Sequence, residues 1–349
     1  MCLRRDIRST LKSLPSTLDE TYERILEEIP EGRREYAQRL FQFLAVSVRP
    51  FRVEELADIL AFKYEAGAAP KFEEDCREAD PEKALLSTCS TMIIIATVER
   101  PSWEGPFWVG EPARIVPARI VQFAHFSVQE FITSERFQIK SKRNVAHFHV
   151  VPGPAHTLLA HTCLGLLQSD DCIDEHATTP PLAIYAAKHW DVHAHFEDEP
   201  LEIRGAMEDL FDVDKPYFAK WIQLRDPNRW GLKDLQQLEA ISLHYSAKFG
   251  FSQLTRHLCT LYTHCINVLL GHGTALEAAS SCGSLETVKI LFEHGADVTT
   301  QSGGHGNALQ AAALNGSLEI MDFLLQHGAN ITAQGGNFGN ALQDRKSVV

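Results

Sequence analysis

Three histidines lie in the segment HWDVHAHF, where they could bind a metal ion together. His189 and His193 are four residues apart, so on a helix their side chains would share a face, as metal ligands can. His195 follows two residues later. No cysteine or glutamate completes a recognised ligand spacing, and Trp190 and Phe196 are typical of a packed helix end. The segment therefore favours a packed helix, and we predict no metal site.

Acidic pairs, nucleotide-binding loops and nucleophile motifs would each indicate an enzyme. A phosphate-binding loop requires the pattern G-x-x-x-x-G-K-[ST], but the sequence contains no Gly-Lys dipeptide. It contains no G-x-S-x-G nucleophile elbow either. We therefore predict a protein that is not an enzyme and that has no cofactor. Two pairs of adjacent acids are predicted to be solvated helix faces rather than catalytic groups: Glu27 with Glu28, and Glu54 with Glu55.

The composition indicates a cytoplasmic protein that binds neither nucleic acid nor a membrane. The formal net charge is −13 at pH 7, whereas surfaces for nucleic acid or anionic lipid rely on excess lysine and arginine. The 8 cysteines are scattered without a C-x-x-C pair, and no signal peptide is recognised, which favours a reducing compartment. The longest strongly apolar stretch, Thr91 to Val98, is too short to span a bilayer.

A pattern recurs at a fixed spacing near the end of the chain. Gly273, Gly306 and Gly339 are each followed by Thr or Asn and then by Ala-Leu. A period of 33 residues with this pattern is that of ankyrin repeats, each built from a turn and two short antiparallel helices. The predicted units are 240–272, which is degenerate, the complete repeats 273–305 and 306–338, and a truncated unit 339–349.

Residues within each unit predict where its helices end. Gly283 breaks the first helix, and Gly295 provides the positive φ favoured at the end of the second. His294 and His327 are predicted to bond nearby loop backbone. Most ankyrin repeats begin Thr-Pro-Leu-His, but these units begin Gly-Thr-Ala-Leu or Gly-Asn-Ala-Leu and resemble fungal ankyrin arrays. Because this turn lacks proline, we expect looser helix starts.

The array is expected to recognise a protein partner. Ankyrin surfaces usually use the tips of their turns and the concave face formed by their first helices. A surface from so few repeats is small, so we expect binding through it alone to be weak. The candidate partner-binding residues are Thr300, Gln301, His305, Asn307, Gln310 and Asn315.

Residues 1–140 begin with three predicted helices. Amphipathic patterns indicate helices at about 15–29, 33–46 and 53–61. The first of them is started by a capping box, in which Thr17 caps the helix and Glu20 reaches back. A polar stretch follows the third helix.

A β-hairpin and a closing helix are predicted next. The β-branched segment STMIIIATVE and the alternating segment ARIVPARIVQF predict two strands, and a helix begins near Ser127. The insert RPSWEGPFWVGEP is rich in proline and glycine and is typical of a hairpin tip. Three helices, a hairpin and a helix are the arrangement of a winged-helix domain. With a helical linker at 141–235 and ankyrin repeats at 236–349, the predicted fold class is mainly α.

Three segments of the first domain resemble a known family. LPSTLDETYERIL, RPFRVEELADILA and VQFAHFSVQEFI are similar to the winged-helix region that follows the NACHT nucleotide-binding module in fungal NLR-like proteins. The same domain type occurs in GPI inositol-deacylase-like and nephrocystin-like proteins. The resemblance covers about residues 8–140 and continues to about 200. It implies a regulatory fragment of a STAND-type signalling protein that lacks the P-loop module and recognises a protein through its ankyrin repeats.

Two other functions stay open. The chain could belong to a P-loop ATPase switch whose nucleotide module is encoded upstream. Alternatively, a winged helix can bind DNA through its third helix, here Val53 to Ala61. Because Glu54, Glu55 and Asp58 on that helix would repel phosphate, we favour a protein-packing role for the domain.

Overall fold

The computed structural model divides the chain into two compact units, Met1–His193 and Ala194–Val349. Both units are mainly helical, and the first also contains two small antiparallel sheets. The three-domain division with boundaries near 140 and 235 stays a prediction. The residues that the structure describes are 17–65, 68–89, 91–101, 115–140, 144–173, 179–196, 200–226, 235–302, 306–333 and 335.

Within the described residues, the first unit has four helices before the long strand that begins at Ile93. Helix α1 starts at Thr17, whose hydroxyl accepts a hydrogen bond from the Glu20 amide at 3.2 Å, as a capping residue should. The first three helices were predicted because each carries an apolar stripe. The fourth was not predicted, because it begins at the end of the polar stretch and its apolar run is short. Their bounds are α1 Leu18–Glu27, α2 Arg34–Val46, α3 Val53–Asp58, continued by a 3-10 turn at Ile59–Ala61, and α4 Pro81–Cys89.

The main sheet confirms the predicted pair of strands. Strands β4 and β5 run antiparallel, and Ile95 lies opposite Val121 in their register. The short strand β1 adds to the other edge of β5, where Phe51 also pairs with Val121, so the order is β1-β5-β4. Val121 is fully buried as a result. Most of the predicted hairpin tip lies outside the described residues. Strand bounds are β1 Phe51–Arg52, β2 Phe62–Lys63, β3 Lys71–Phe72, β4 Ile93–Pro101 and β5 Ile115–Phe123.

Glu55 is buried, so the expectation that it lies on a solvated face is wrong. Its carboxylate accepts two hydrogen bonds from the Arg49 guanidinium, at 2.7 and 2.8 Å, and another from the Arg52 amide at 2.8 Å. A buried carboxylate requires charged or hydrogen-bonding partners of this kind. Asp58, one turn later, is also buried and accepts from Arg77 at 2.9 Å. These acids therefore fix the ends of α3, while Glu54 is exposed.

Five further helices belong to the first unit in the part of the chain that the structure describes, and the last of them contains His189 and His193 of the histidine segment, whereas His195 lies just after the helix end. The first of them contacts α1 and β5, and α7 contacts α2. Leu159 of α7 and Tyr185 of α9 are among the residues fully removed from solvent. Helix α9 is the packed helix predicted for this segment. The bounds are α5 Phe126–Thr133, α6 Glu135–Lys140, α7 Pro152–Leu167, α8 Asp170–Ile173 and α9 Leu182–Ala194.

Both ring nitrogens of the buried His193 take part in hydrogen bonds. The Tyr185 hydroxyl accepts from the Val48 amide at 3.2 Å, so its own proton points to His193 Nε2 at 2.9 Å. His193 then carries its proton on Nδ1 and donates to His156 Nδ1, 2.8 Å away. Burial, reinforced by neighbouring histidines, lowers the pKa of His193 to about 3. The side chain is thus a neutral link between α7 and α9.

The lowered pKa of His193 predicts how the free energy of unfolding changes with pH. In the unfolded chain its pKa is near 6.5, so only the unfolded state binds this proton between pH 6.5 and about pH 3. Stability should therefore fall as the pH drops through that window. Between pH 7.5 and pH 5, we expect the free energy of unfolding of His193→Gln to fall by about 2 kcal/mol less than that of the wild type. Urea unfolding at the two pH values measures both changes. Equal pH dependence in the two proteins would contradict this.

Asp58 changes the stability with pH in the opposite direction from His193. The pH dependence of His193→Gln is therefore compared with that of the wild type. Burial raises the pKa of Asp58 to about 6 despite its bonds to Arg77 and to a backbone amide. The folded state therefore holds a proton there that the unfolded state loses, and this stabilises the fold as the pH falls. Since Asp58 is present in both proteins, its contribution cancels in the difference.

The second unit is a series of helices in which antiparallel pairs stack side by side. The inner helices α12, α14 and α16 pack in order, and the outer helices α13, α15 and α17 lie behind them. An aromatic cluster that includes Phe218, Trp221 and Tyr245 joins the first pair to the helices before it. The bounds are α10 Leu201–Phe211, α11 Pro216–Arg225, α12 Leu235–Phe249, α13 Ser252–Leu261, α14 Ala275–Cys282, α15 Leu285–Glu293, α16 Ala308–Asn315 and α17 Leu318–Gln326, with a 3-10 turn at Thr263–Cys265.

Candidate protein-interaction surface

The inner helices begin with side-chain caps. Thr274 Oγ1 accepts a hydrogen bond from the Glu277 amide at 3.2 Å, and the Glu277 carboxylate accepts one from the Thr274 amide at 3.0 Å. In the next unit, Asn307 Oδ1 accepts from the Gln310 amide at 2.9 Å. These bonds satisfy amides that would otherwise lack partners at a helix start. The helix starts are therefore capped by side chains although proline is absent, and the expectation that they are looser stays a prediction.

The glycine before each cap is required by the same arrangement. Gly273 has a φ of 103° and Gly306 a φ of 97°, values that favour glycine. A Cβ at Gly273 would overlap the Glu277 carboxylate, and one at Gly306 would overlap the Gln310 amide. The pattern Gly-[Thr/Asn]-Ala-Leu-[Glu/Gln] is thus a structural unit in which the side chain of the fifth residue, Glu277 or Gln310, folds back over the glycine.

Small residues let the inner helices stack closely. Ala278 and Ala279 of α14, and Ala311 and Ala312 of α16, are all buried. Larger side chains at these positions would hold neighbouring helices apart. Ser280 is buried as well, and its hydroxyl donates to the Leu276 carbonyl at 2.8 Å, so it adds no unpaired group to the interface.

The ends of the helices follow the predicted pattern. Gly283 has a φ of 83° after α14, and Gly295 has a φ of 94° after α15. His294 donates from Nδ1 to the Ile290 carbonyl at 2.8 Å, and His327 makes the equivalent bond at 2.7 Å. The histidines thus bond backbone, as predicted, but their acceptors are carbonyls in the last helical turn rather than in the loop.

The tips of the turns are held by a repeated hydrogen-bond pattern. Asp297 Oδ1 accepts from the amide and the hydroxyl of Thr299, at 2.8 and 2.7 Å. Asn330 binds Thr332 in the same way, at 2.9 and 2.7 Å. These bonds lower the pKa of Asp297, so it is charged at neutral pH. Together with Gln301, these four exposed residues form what we call the tip row.

The Asn267 side chain, from the loop before α14, holds the first tip, at Asp297, through two hydrogen bonds. Asn267 donates to the Gly295 carbonyl at 2.9 Å and accepts from the Asp297 amide at 2.8 Å. On the outer helices, Arg256 lies 3.6 Å from Glu286 and 3.5 Å from Glu293 and so bridges neighbouring units. The tips are therefore presented on connected repeats, which reduces the ordering that a partner would have to impose.

The six residues predicted to bind a partner have different positions. Asn307 and Gln310 are 5% and 1% exposed, because they form the cap of α16. Their predicted role at an accessible surface is therefore wrong. Gln301 and Asn315 are exposed and Thr300 is half-buried, so binding through them stays a prediction. The sixth residue, His305, lies outside the described residues.

The tip row was missed except for Gln301, although the sequence contains a signal for it. Gly-Ala is followed by Asp or Asn and, two residues later, by Thr in both complete units. An Asp or Asn two residues before Thr favours a side-chain-to-backbone turn. The repeated pattern could therefore have located Asp297 and Asn330 at the tips.

A family model described as ankyrin repeats matches residues 243–335 in three copies. These residues are ankyrin repeats. The match begins in α12 and extends through α17, so it covers the capped helices and the tip row. Ankyrin repeats stack through nearest-neighbour contacts and use the resulting extended surface for binding.

A longer similarity extends beyond the ankyrin repeats. The chain is 33% identical over 308 residues to the azaphilone pigments biosynthesis cluster protein L of Monascus ruber. The alignment covers 82% of this chain and 61% of that relative, so the chain spans about three-fifths of the relative's length. Among the helices within the described ranges, none combines the length and apolarity that crossing a bilayer requires.

The role of Gly273 can be tested by adding a single methyl group. Gly273→Ala should lower the free energy of unfolding by about 2 kcal/mol or more, because it forces a positive φ on alanine and displaces the Glu277 carboxylate. Gly271→Ala is the matched control, since that glycine is exposed and a Cβ there meets no atom within 4 Å. Urea unfolding followed by circular dichroism gives both values. Equal destabilisation by the two substitutions would refute the proposed role of the cap.

Proposed function

We propose that this chain is a non-enzymatic regulatory fragment of an NLR-like, STAND-type signalling protein, and that its ankyrin repeats recognise a protein partner. The observation that carries the proposal is the tip row, in which polar side chains stand exposed on hydrogen-bonded turns. Preorganised turns lower the entropic cost of binding. The tip row therefore meets a basic requirement of a recognition surface.

The chemistry of the tip row favours a partner with hydrogen-bond donors. Asp297 contributes a carboxylate, and Gln301 and Asn330 contribute amides. Because the formal charge of the chain is −13, an interface here is best matched by a partner surface that contains lysine, arginine or backbone amides. The small area of this surface predicts a weak interaction unless other surfaces contribute.

The architecture of the first unit supports the signalling part of the proposal. Helices α1 to α3, the pair β4 and β5, and helix α5 occur in the order expected of a winged-helix domain, with β2, β3 and α4 inserted between α3 and β4. Helix α3 buries Val53 and Leu56 on one side, and its acids Glu55 and Asp58 are engaged by arginines. Its exposed acid, Glu54, would repel phosphate. These features favour protein packing over DNA binding for this helix.

The relative from Monascus ruber favours a second candidate function. Its name places it in a biosynthesis cluster for azaphilone pigments. In this second candidate, the chain would take part in such a pathway by binding one of its proteins. The identity of a captured partner separates the two candidates, because a signalling protein supports the first and a biosynthetic protein supports the second.

Partner capture with surface variants tests the proposed function. Full-length protein would be used as bait in fungal cytosol, beside the tip variant Gln301→Arg/Ile331→Arg, whose added positive charges would repel a basic partner surface. Gln301 and Ile331 are both exposed at the tips, so the fold should be retained. We expect wild type to capture a specific protein, and the tip variant to lose about tenfold or more of it, since each buried contact contributes roughly 1 kcal/mol.

Two further variants serve as controls for the capture. Glu319→Lys changes an exposed position on the outer helix α17 and should leave capture unchanged. Leu291→Asp places a charge at a fully buried position and should abolish capture by unfolding the repeats. Capture that survives both the tip variant and Leu291→Asp would exclude the repeats as the recognition surface.

The two rival functions have their own tests. An in-frame Walker-type loop in the genomic sequence upstream of Met1 would favour the ATPase switch. Retention on duplex DNA that weakens steeply with salt would favour DNA binding.

A further inference from the structure

Three side chains with metal-binding atoms meet at the start of the ankyrin array. His264 Nε2 lies 2.8 Å from Glu239 Oε2, and Cys265 Sγ lies 3.7 Å from the same oxygen. All three atoms lie within 4.8 Å of one another. Glu239 comes from helix α12, whereas His264 and Cys265 are neighbours in the 3-10 turn that follows α13. The group therefore joins two elements of the same repeat.

This group is special to the first repeat. The equivalent positions in the next repeat, 33 residues later, are Asp297 and Val298. There the next repeat has its hydrogen-bonded tip. The first repeat has Ile266 in place of Thr299, so it cannot form that turn. Its inner helix is also longer, 15 residues against 8 in α14, and the additional turns bring Glu239 over the 3-10 turn.

We infer that Glu239, His264 and Cys265 form a binding site for a zinc ion. Zn²⁺ is held by thiolate, imidazole and carboxylate groups, at about 2.3 Å from sulfur and about 2.0 to 2.2 Å from nitrogen or oxygen. A tetrahedral ion with these bond lengths places its ligand atoms about 3 to 4 Å apart. The three atoms already lie near this spacing. A water molecule completes the fourth position.

Burial and exposure fit such a site. Cys265 is 2% exposed, so its sulfur lies on the buried side of the proposed zinc site. The His264 side chain is 55% exposed and leaves a route by which an ion and a water molecule enter. Burial and the Glu239 carboxylate raise the pKa of Cys265 to about 11. Binding of a divalent cation releases this thiol proton to solvent, because only the thiolate coordinates the metal.

The site gives the degenerate repeat a substitute for the missing turn. In the complete repeats, Asp297 and Asn330 hold the tip through Thr299 and Thr332. In the first repeat, an ion bound by Glu239, His264 and Cys265 would hold the equivalent backbone against α12. The zinc site therefore stabilises the start of the array independently of which partner the tip row recognises.

Metal titration of the full-length protein tests this inference. The reduced, metal-free chain would be titrated with Co²⁺, whose spectrum reports thiolate ligation, and then with Zn²⁺, which should displace it. We expect one equivalent of Co²⁺ to bind with a thiolate-to-cobalt charge-transfer band. Cys265→Val should abolish the band, and His264→Asp should weaken binding by about 100-fold or more.

These variants are chosen to preserve the fold. Each introduces the residue that the next repeat has at the equivalent position, Asp297 or Val298. Cys76→Ser removes an exposed thiol elsewhere and should leave the band unchanged. Absence of the band in wild type, or its persistence in Cys265→Val, would overturn the inference.

Unfolding provides a second, independent readout. With free Zn²⁺ at 100 times its dissociation constant, the ratio of folded to unfolded wild-type protein should rise about 100-fold. Cys265→Val should show no such rise. Zinc that binds wild type without shifting its unfolding midpoint would overturn the structural role.

Discussion

The ankyrin array depends on how each inner helix begins. A helix start leaves backbone amides without partners, and here it is buried between neighbouring repeats, where water cannot satisfy them. Thr274 with Glu277, and Asn307 with Gln310, provide those partners. Each cap in turn needs a glycine before it, because only a residue without a Cβ leaves room for the returning side chain. This local constraint recurs in both complete repeats.

The other features of the array follow from this constraint. Because the polar side chains at the helix start are used for capping, the inner helices face each other through alanine and serine and pack closely. The outer helices α13, α15 and α17 then contact one another in order. The tip row is exposed, whereas the first-helix polar residues Asn307 and Gln310 are buried. Capping thus removes these two polar side chains from the accessible surface.

Much of the fold could be predicted from local patterns. The 33-residue period located the repeats, the β-branched residues located β4, and apolar alternation located β5. What could not be predicted depends on contacts that the patterns do not show. Glu55 is an example, because its partners Arg49 and Arg52 are close in the sequence but the apolar stripe of α3 does not indicate that its carboxylate is buried with them. Likewise, nothing local indicates that Glu239 meets His264, since the meeting depends on the length of α12 and the path of the chain after α13.

The central claim is that side-chain caps hold the ankyrin repeats in a fixed arrangement, and amide hydrogen exchange of the full-length chain tests it most directly. The account predicts that the capped amides of Glu277 and Gln310 exchange slowly, with the same protection as the helix interiors behind them, because each amide is hydrogen-bonded and buried. Exchange of these two amides at the rate of an unstructured chain, while α14 and α16 remain protected, would contradict the account.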